Sequence, residues 1–86
     1  MYVENMTSNK GNMIANQFRI SDNGKQYFQS YHSTIVKIEN GQVFLDSYYW
    51  DYSRTTSRYR NMFLNETTKE TQAKIDSGEY ILTNLN

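Results

Sequence analysis

The stretch that decides the fold is Phe18-Arg19-Ile20-Ser21-Asp22-Asn23-Gly24-Lys25-Gln26-Tyr27, which has an Asn-Gly pair at its centre. Apolar and polar residues alternate before the pair, as in a strand with one buried face. Asn-Gly favours a two-residue type I′ turn, because both central residues of that turn need a positive φ. This turn places Ile20 opposite Tyr27 and predicts an antiparallel hairpin.

A second Asn-Gly pair lies in Ile38-Glu39-Asn40-Gly41-Gln42-Val43. The same turn geometry places Val36 opposite Leu45, which gives a second strand pair with one apolar face. Two such hairpins in succession, joined near His32-Ser33, predict a four-stranded antiparallel meander.

Two helices are predicted after the meander. Four residues share one face of the first helix at spacings of 4, 3 and 4 residues: Tyr52, Thr56, Tyr59 and Phe63. Asp51 or Ser53 is expected to cap the start of this helix. Thr67 and Glu70, three residues apart, form a capping box for the second helix, which is expected to end at Gly78.

These elements predict a single α+β domain, a four-stranded antiparallel meander followed by two helices packed on one face. Residues 1–11 lack a clear period and contain several turn formers, so we expect a flexible N-terminal arm there. The folded domain is predicted to span residues 12–86. Tyr80-Ile81-Leu82 is expected to return as a short C-terminal edge strand or to pack as a tail.

Composition narrows the classes of function. The chain has 86 residues and no cysteine, so neither a disulfide framework nor a thiolate zinc site is available. No apolar run approaches the roughly 18 residues of a membrane-spanning helix, and we expect a soluble cytoplasmic protein. Nine acidic and nine basic residues cancel, whereas a protein that binds duplex DNA through phosphates has a basic excess.

Groups that carry catalysis are sparse. His32 is the only histidine, and we expect a structural or solvated role for it at the strand junction. Asp46 and Asp51 are expected to end a strand and to cap a helix, rather than to form the carboxylate pair of a glycosidase. Neither a metal-binding spacing nor a phosphate-binding glycine loop occurs. We therefore predict that the chain is not an enzyme and has no metal or cofactor.

Residues 48–60 hold four of the eight tyrosines, the only tryptophan and three of the four arginines. Aromatic rings and guanidinium groups most often carry the binding energy of protein interfaces. Arg54 and Arg58, at i and i+4 of the predicted helix, are expected to project into solvent together, whereas Arg60 lies on another flank, facing the sheet or a carboxylate. The predicted partner-binding residues are Tyr48, Tyr49, Arg54, Arg58 and Arg60.

The same segment has three other interpretations. It is also compatible with a solvated helix face whose arginines are balanced by Glu66 and Glu70. Tyrosine and arginine together are typical of single-stranded nucleic-acid binding, since tyrosine stacks on bases and arginine contacts phosphates. The third interpretation is a small self-associating structural or assembly subunit that buries Tyr48, Tyr49 and Trp50. Outside such an interface, Trp50 is expected to anchor the helix to the sheet rather than to serve as a platform on which bases stack.

Four segments carry a resemblance to a known family. They are Phe28-Gln29-Ser30-Tyr31, Ile35-Val36-Lys37-Ile38, Trp50-Asp51-Tyr52-Ser53-Arg54-Thr55-Thr56-Ser57-Arg58-Tyr59-Arg60 and Phe63-Leu64. Over residues 12–86 the chain resembles small proteins of bacteriophages and other bacterial mobile elements, a family to which no reaction or ligand is assigned. The resemblance implies a location in the cytoplasm of a bacterial host cell. It also implies a non-catalytic protein that binds a host protein, such as an anti-CRISPR-like inhibitor of a defence nuclease.

Overall fold

The computed structural model describes residues 1–86 and has an α+β fold, with two helices and one six-stranded sheet. The strands lie in the sheet in chain order. They are β1 (Tyr2–Thr7), β2 (Met13–Asp22), β3 (Lys25–Ser30), β4 (Ser33–Glu39), β5 (Gln42–Asp46) and β6 (Ile81–Thr83). The helices are α1 (Arg54–Leu64) and α2 (Thr68–Asp76). Neighbouring strands pair antiparallel, except that β5 and β6 are parallel.

The two Asn-Gly pairs lie in the turns β2–β3 and β4–β5. Asn23-Gly24 has φ angles of 50° and 80°, and Asn40-Gly41 has φ angles of 52° and 77°. Glycine adopts this region without steric cost and asparagine at lower cost than most residues. Ile20 lies opposite Tyr27 in the β2–β3 ladder.

The expectation of a flexible arm over residues 1–11 was wrong for strand β1. Residues Tyr2–Thr7 pair with β2, and Met6 is buried in the core. The side-chain amide of Asn5 donates a hydrogen bond to the carbonyl of Ile14 at 3.1 Å, beside an irregularity in the ladder. Strand β1 lies at the edge of the sheet and most of its residues are exposed, so it lacks the alternation that identifies a half-buried strand.

At the edge opposite to β1, the sheet has a further strand, β6, beyond the four strands of the predicted meander. Strand β6 lies parallel to β5, with Leu45 opposite Leu82. A parallel neighbour needs a long crossover connection, which the segment containing α1 and α2 supplies. The C-terminal segment was expected to form either a short edge strand or a packed tail, and Ile81–Thr83 forms the edge strand.

The hydrophobic core joins strands of the sheet to α1. Its buried apolar residues are Met6, Phe28, Ile35, Val36, Leu45, Tyr59 and Tyr80. The ring of Phe28 in β3 stacks on that of Phe63 in α1, with centroids 5.8 Å apart. Thr56, Tyr59 and Arg60 are the buried residues of α1.

Capping residues determine where the two helices begin. Ser53 is the N-cap of α1, and its side chain accepts a hydrogen bond from the backbone N–H of Thr56. The interior face predicted for Tyr52 is therefore wrong, because that residue precedes the cap and does not follow the helical period. Thr67 caps α2 in a capping box with Glu70. Neither helix is long and apolar enough to cross a membrane.

Candidate functional site

Three tyrosines of the β5–α1 connection form a cluster that we call the tyrosine face: Tyr48, Tyr49 and Tyr52. The ring centroids of Tyr48 and Tyr49 are 4.6 Å apart with an interplanar angle of 85°, and those of Tyr49 and Tyr52 are 5.2 Å apart at 65°. Edge-to-face contacts of this kind are favourable and hold the rings against one another. Tyr48 and Tyr52 are 70% and 61% exposed, whereas Tyr49 is half-buried against the core.

Two exposed arginines follow the tyrosine face along α1. Arg54 is the first residue of the helix and Arg58 lies one turn later. Residues 54 and 58 lie on the side of the helix opposite to the buried Thr56 and Tyr59. Neither arginine forms an ion pair, and the guanidinium carbon of Arg58 lies 5.7 Å from the ring centroid of Tyr59. Both charges are therefore available to a partner.

A cleft of about 270 Å³ adjoins the tyrosine face between the β3–β4 turn and the start of α1. Its lining consists of Ser30, Tyr31, His32, Ser33, Ile35, Tyr49, Tyr52, Ser53 and Thr56. Three phenol rings and Ile35 form apolar walls, and four aliphatic hydroxyls and one imidazole add polar groups. The lining contains no carboxylate. Two of the hydroxyls, Ser30 Oγ and Thr56 Oγ1, are buried and hydrogen-bonded to each other at 3.1 Å.

Tyr31 borders this cleft in a conformation that tyrosine rarely adopts. Its φ is 57°, and the other non-glycine residues with positive φ are all asparagines: Asn16, Asn23, Asn40 and Asn65. Asparagine tolerates the left-handed region, whereas a bulky residue there is strained. Tyr31 is 50% exposed, so packing in the core does not account for its ring. Backbone strain of this kind clusters at functional sites, which marks the β3–β4 turn as part of the candidate site.

A family model matches residues 1–79, most of the chain. The chain belongs to the DUF8033 family, a family of unknown function. The matched region runs from β1 through α2 and contains the tyrosine face and the cleft, whereas β6 lies beyond it. No curated protein and no solved structure matches the chain.

Arg60, predicted as a partner-binding residue, is fully buried (0% exposed) in this DUF8033 fold and is not available to a partner. Its guanidinium donates hydrogen bonds to the carbonyl of Trp50, to Asn61 Oδ1 at 2.9 Å and to Thr68 Oγ1 at 2.8 Å. It also lies over the Trp50 ring, 5.0 Å from the centroid, and 3.4 Å from the carboxylate of Asp51. Arg60 therefore fixes the segment that carries the tyrosine face to α1 and to the start of α2.

Asp46 supports the same segment from the end of β5. Its buried carboxylate accepts hydrogen bonds from the backbone N–H groups of Tyr48 and Tyr49 at 3.1 and 2.8 Å. It also accepts from the N–H of Leu85 at 2.8 Å and from the side-chain amide of Asn86 at 3.0 Å. Burial alone would raise the pKa of Asp46, but these four donors outweigh burial and hold the pKa below its ordinary value.

A second buried carboxylate stabilises the fold away from the cleft. Glu66 accepts hydrogen bonds from Thr71 Oγ1 at 2.5 Å and from Lys74 Nζ and Tyr80 Oη, each at 2.8 Å. Burial raises the pKa of Glu66, but the three donors outweigh it, so the net pKa is lowered. Two of these donors lie in α2 and the third, Tyr80, directly precedes β6. Glu66 therefore links α2 to the start of β6. No group of three or more His, Asp or Glu side chains is placed to hold a metal ion.

We expect the DUF8033 chain to lose stability in acid through Asp46 and Glu66. Both carboxyls have a lowered pKa when folded, so their contribution is complete above the unfolded pKa of about 4 and is lost as pH falls through the folded pKa. Urea unfolding from pH 7 to pH 3 should give a falling free energy of unfolding. Asp46→Asn should be less stable at pH 7 and should show a shallower fall. A level wild-type profile, or equal slopes for the two proteins, would contradict this assignment.

The structure brings together four of the five residues predicted from the sequence. Tyr48 and Tyr49 belong to the tyrosine face, and Arg54 and Arg58 follow it on α1. Two further candidates, Tyr31 and His32, were not predicted as site residues. The available signal was that the two-residue β3–β4 turn has Tyr-His where the β2–β3 and β4–β5 turns have Asn-Gly.

Proposed function

We propose that the chain is a non-catalytic binding domain that engages another protein through the tyrosine face and the exposed arginines Arg54 and Arg58. The observation that carries the proposal is a cluster of packed, exposed phenol rings followed along the chain by two exposed arginines that form no ion pair within it. Tyrosine and arginine are enriched among the residues that dominate interface energies.

Rigidity of the surface supports the proposal. The Tyr48 and Tyr49 backbone is hydrogen-bonded to Asp46, and the Trp50 carbonyl is held by Arg60. A surface that is already ordered loses less conformational entropy when it binds, so more of the contact energy contributes to affinity.

The finer proposal concerns the partner. It is a host protein in the cytoplasm of a bacterial cell, namely a defence nuclease that the domain blocks sterically in the manner of an anti-CRISPR protein. This part rests on the resemblance of residues 12–86 to small proteins of phages and mobile elements.

Single-stranded nucleic acid is the second candidate ligand, favoured by the exposed rings of Tyr48 and Tyr52 beside two arginines. The edge-to-face packing of the rings and the zero net charge favour a protein partner instead. A nucleic-acid binder should retain an oligothymidine at about 50 mM salt and release it steeply as salt rises. A self-associating subunit, the third reading, should sediment as a dimer or larger species.

The proposal is tested by affinity capture from a bacterial lysate with the wild-type chain and with the variant Arg54→Glu/Arg58→Glu. We expect the wild type to retain a protein that the variant does not retain, while both unfold at the same temperature. Equal retention by the two proteins would remove the arginines from the binding surface.

A further inference from the structure

The face of the sheet that points away from the helices carries a row of apolar side chains. Successive residues of a strand point to opposite faces, and Phe28 packs against Phe63 of α1, so its neighbour Tyr27 points away from α1. The ladder pairings extend from Tyr27 in both directions and define one row across all six strands, which we call the outer row. In strand order it consists of Val3, Ile20, Tyr27, Lys37, Phe44 and Ile81.

The outer row has no apolar partner within the chain. None of its five apolar residues belongs to the hydrophobic core or packs against it. Val3 and Ile81, at the two edges of the sheet, are 54% and 42% exposed. An antiparallel sheet with one face on the core commonly presents polar side chains on the other face. A continuous apolar row on the open face therefore marks an interaction surface.

The charges on this face are balanced. Lys25 Nζ lies 3.7 Å and Lys37 Nζ lies 3.2 Å from the carboxylate of Glu39, and Lys37 Nζ also lies 5.0 Å from the ring centroid of Phe44. Asp22, at the end of β2, supplies the second negative charge. With two charges of each sign, the face does not repel a second copy of itself.

The order of the strands makes the face complementary to itself under two-fold symmetry. An axis parallel to the strands, between β3 and β4, places β1 over β6, β2 over β5 and β3 over β4 of a second copy. Lys25 then faces Glu39 of the second copy, so opposite charges meet. Across the interface the outer row pairs Val3 with Ile81, Ile20 with Phe44, and Tyr27 with Lys37. Two sheets stacked in this way have their strands within about 30° of each other.

The area of the face is sufficient for a reversible dimer. Six strands span about 24 Å, and the outer row with the rows on either side of it covers about 20 Å along the strands. The contact is thus about 480 Å² on each copy and about 1,000 Å² in total. That total is close to the lower limit of about 1,000 Å² for a specific interface.

We propose that the outer row is a homodimer interface, in which two copies of the chain stack sheet against sheet about this axis. The inference does not depend on the binding partner proposed above. Tyr49 of the tyrosine face packs against the core, which lies on the other side of the sheet. The dimer therefore presents two tyrosine faces, and a target with two binding sites is held more tightly than by one copy.

Sedimentation equilibrium of the full chain from about 1 to 500 μM tests the proposal, since an interface of this size gives a weak, concentration-dependent dimer. We expect the weight-average mass to rise from the monomer mass of 10.2 kDa toward twice that value. A mass that stays at 10.2 kDa up to the highest concentration would overturn the inference, as would a species larger than a dimer.

The variant Val3→Glu/Ile81→Glu places carboxylates against one another across the interface, so it should raise the dissociation constant of the dimer at least about tenfold. Tyr2→Glu/Leu82→Glu is the matched control. These two residues neighbour the first pair on the same edge strands and are 63% and 41% exposed, but they point to the other face of the sheet. The control should sediment like the wild type. Equal weakening by the two variants would overturn the inference.

Two further measurements separate this interface from folding and from the tyrosine face. At about 1 μM, where the chains are monomeric, both double variants should unfold at the temperature of the wild type, because all four positions are exposed on edge strands. Tyr48→Ser should dimerise like the wild type. Loss of the dimer in Tyr48→Ser would place the interface at the tyrosine face and contradict the role of the outer row.

Discussion

Replacing Arg60 with alanine is expected to lower the free energy of unfolding by about 3–5 kcal/mol, the range for truncating a large buried side chain with polar partners. The loss leaves a cavity under the segment 47–53 and removes the donors to the Trp50 carbonyl and to Thr68. Natural domains of this size are stable by only about 5–15 kcal/mol, so the variant should be close to unfolding at room temperature. Urea denaturation, monitored by circular dichroism, gives the difference in the free energy of unfolding between the variant and the wild type.

Arg58→Ala is the matched control, since it removes the same side chain two residues earlier on the same helix. Arg58 is exposed and forms no ion pair, so the change should be about 0.5 kcal/mol or less. Arg60→Met retains much of the volume without the hydrogen bonds and should be intermediate. A loss below about 1 kcal/mol for Arg60→Ala would mean that the guanidinium does not hold the site together.

Reversing both exposed arginines, in Arg54→Glu/Arg58→Glu, is expected to raise the dissociation constant for the captured partner by at least about 100-fold. A hydrogen bond to a charged group contributes about 1.5–3 kcal/mol, and each 1.4 kcal/mol is a factor of about ten in affinity. Like-charge repulsion with any carboxylate that the partner places against the two arginines adds to this loss. Isothermal titration calorimetry with the purified partner gives the constant, and thermal unfolding should be nearly unchanged.

Lys10→Glu/Lys69→Glu controls for net charge, because it changes the charge of the chain by the same amount at two other exposed positions outside the cleft. This control should weaken binding by less than about threefold, which is the size of effect expected from exposed charges that do not contact the partner and act on it only at long range. If the two double variants lose affinity equally, bulk electrostatics rather than the surface beside the tyrosines accounts for binding.

The α+β class was predictable because its signals are local. An Asn-Gly pair acts within four residues, and the φ angles at Asn23-Gly24 and Asn40-Gly41 are positive. The capping box of Thr67 and Glu70 also acts within one turn, and α2 begins where it lies. Edge strand β1 could not be predicted in this way, because a strand with few buried residues has no alternating pattern.

The candidate site was only partly predictable, for a related reason. Helical spacing correctly separates the exposed Arg54 and Arg58 from the buried side of α1. It also places Arg60 on a flank that faces the sheet or a carboxylate, and the Asp51 carboxylate does lie 3.4 Å from its guanidinium. It does not predict that Arg60 is fully buried, because the partners Trp50 and Thr68 come from segments on either side of the helix. The cleft joins the β3–β4 turn to the start of α1, and such proximity arises only once the sheet and helix have packed.

The most direct test of the binding surface is the amide hydrogen-exchange footprint of the complex with the captured partner. Slower exchange is expected in residues 47–58, which carry the tyrosine face and both exposed arginines, and in the Tyr31-His32 turn beside the cleft. Slowing confined to the edge strands β1 or β6, with residues 47–58 unchanged, would contradict the account.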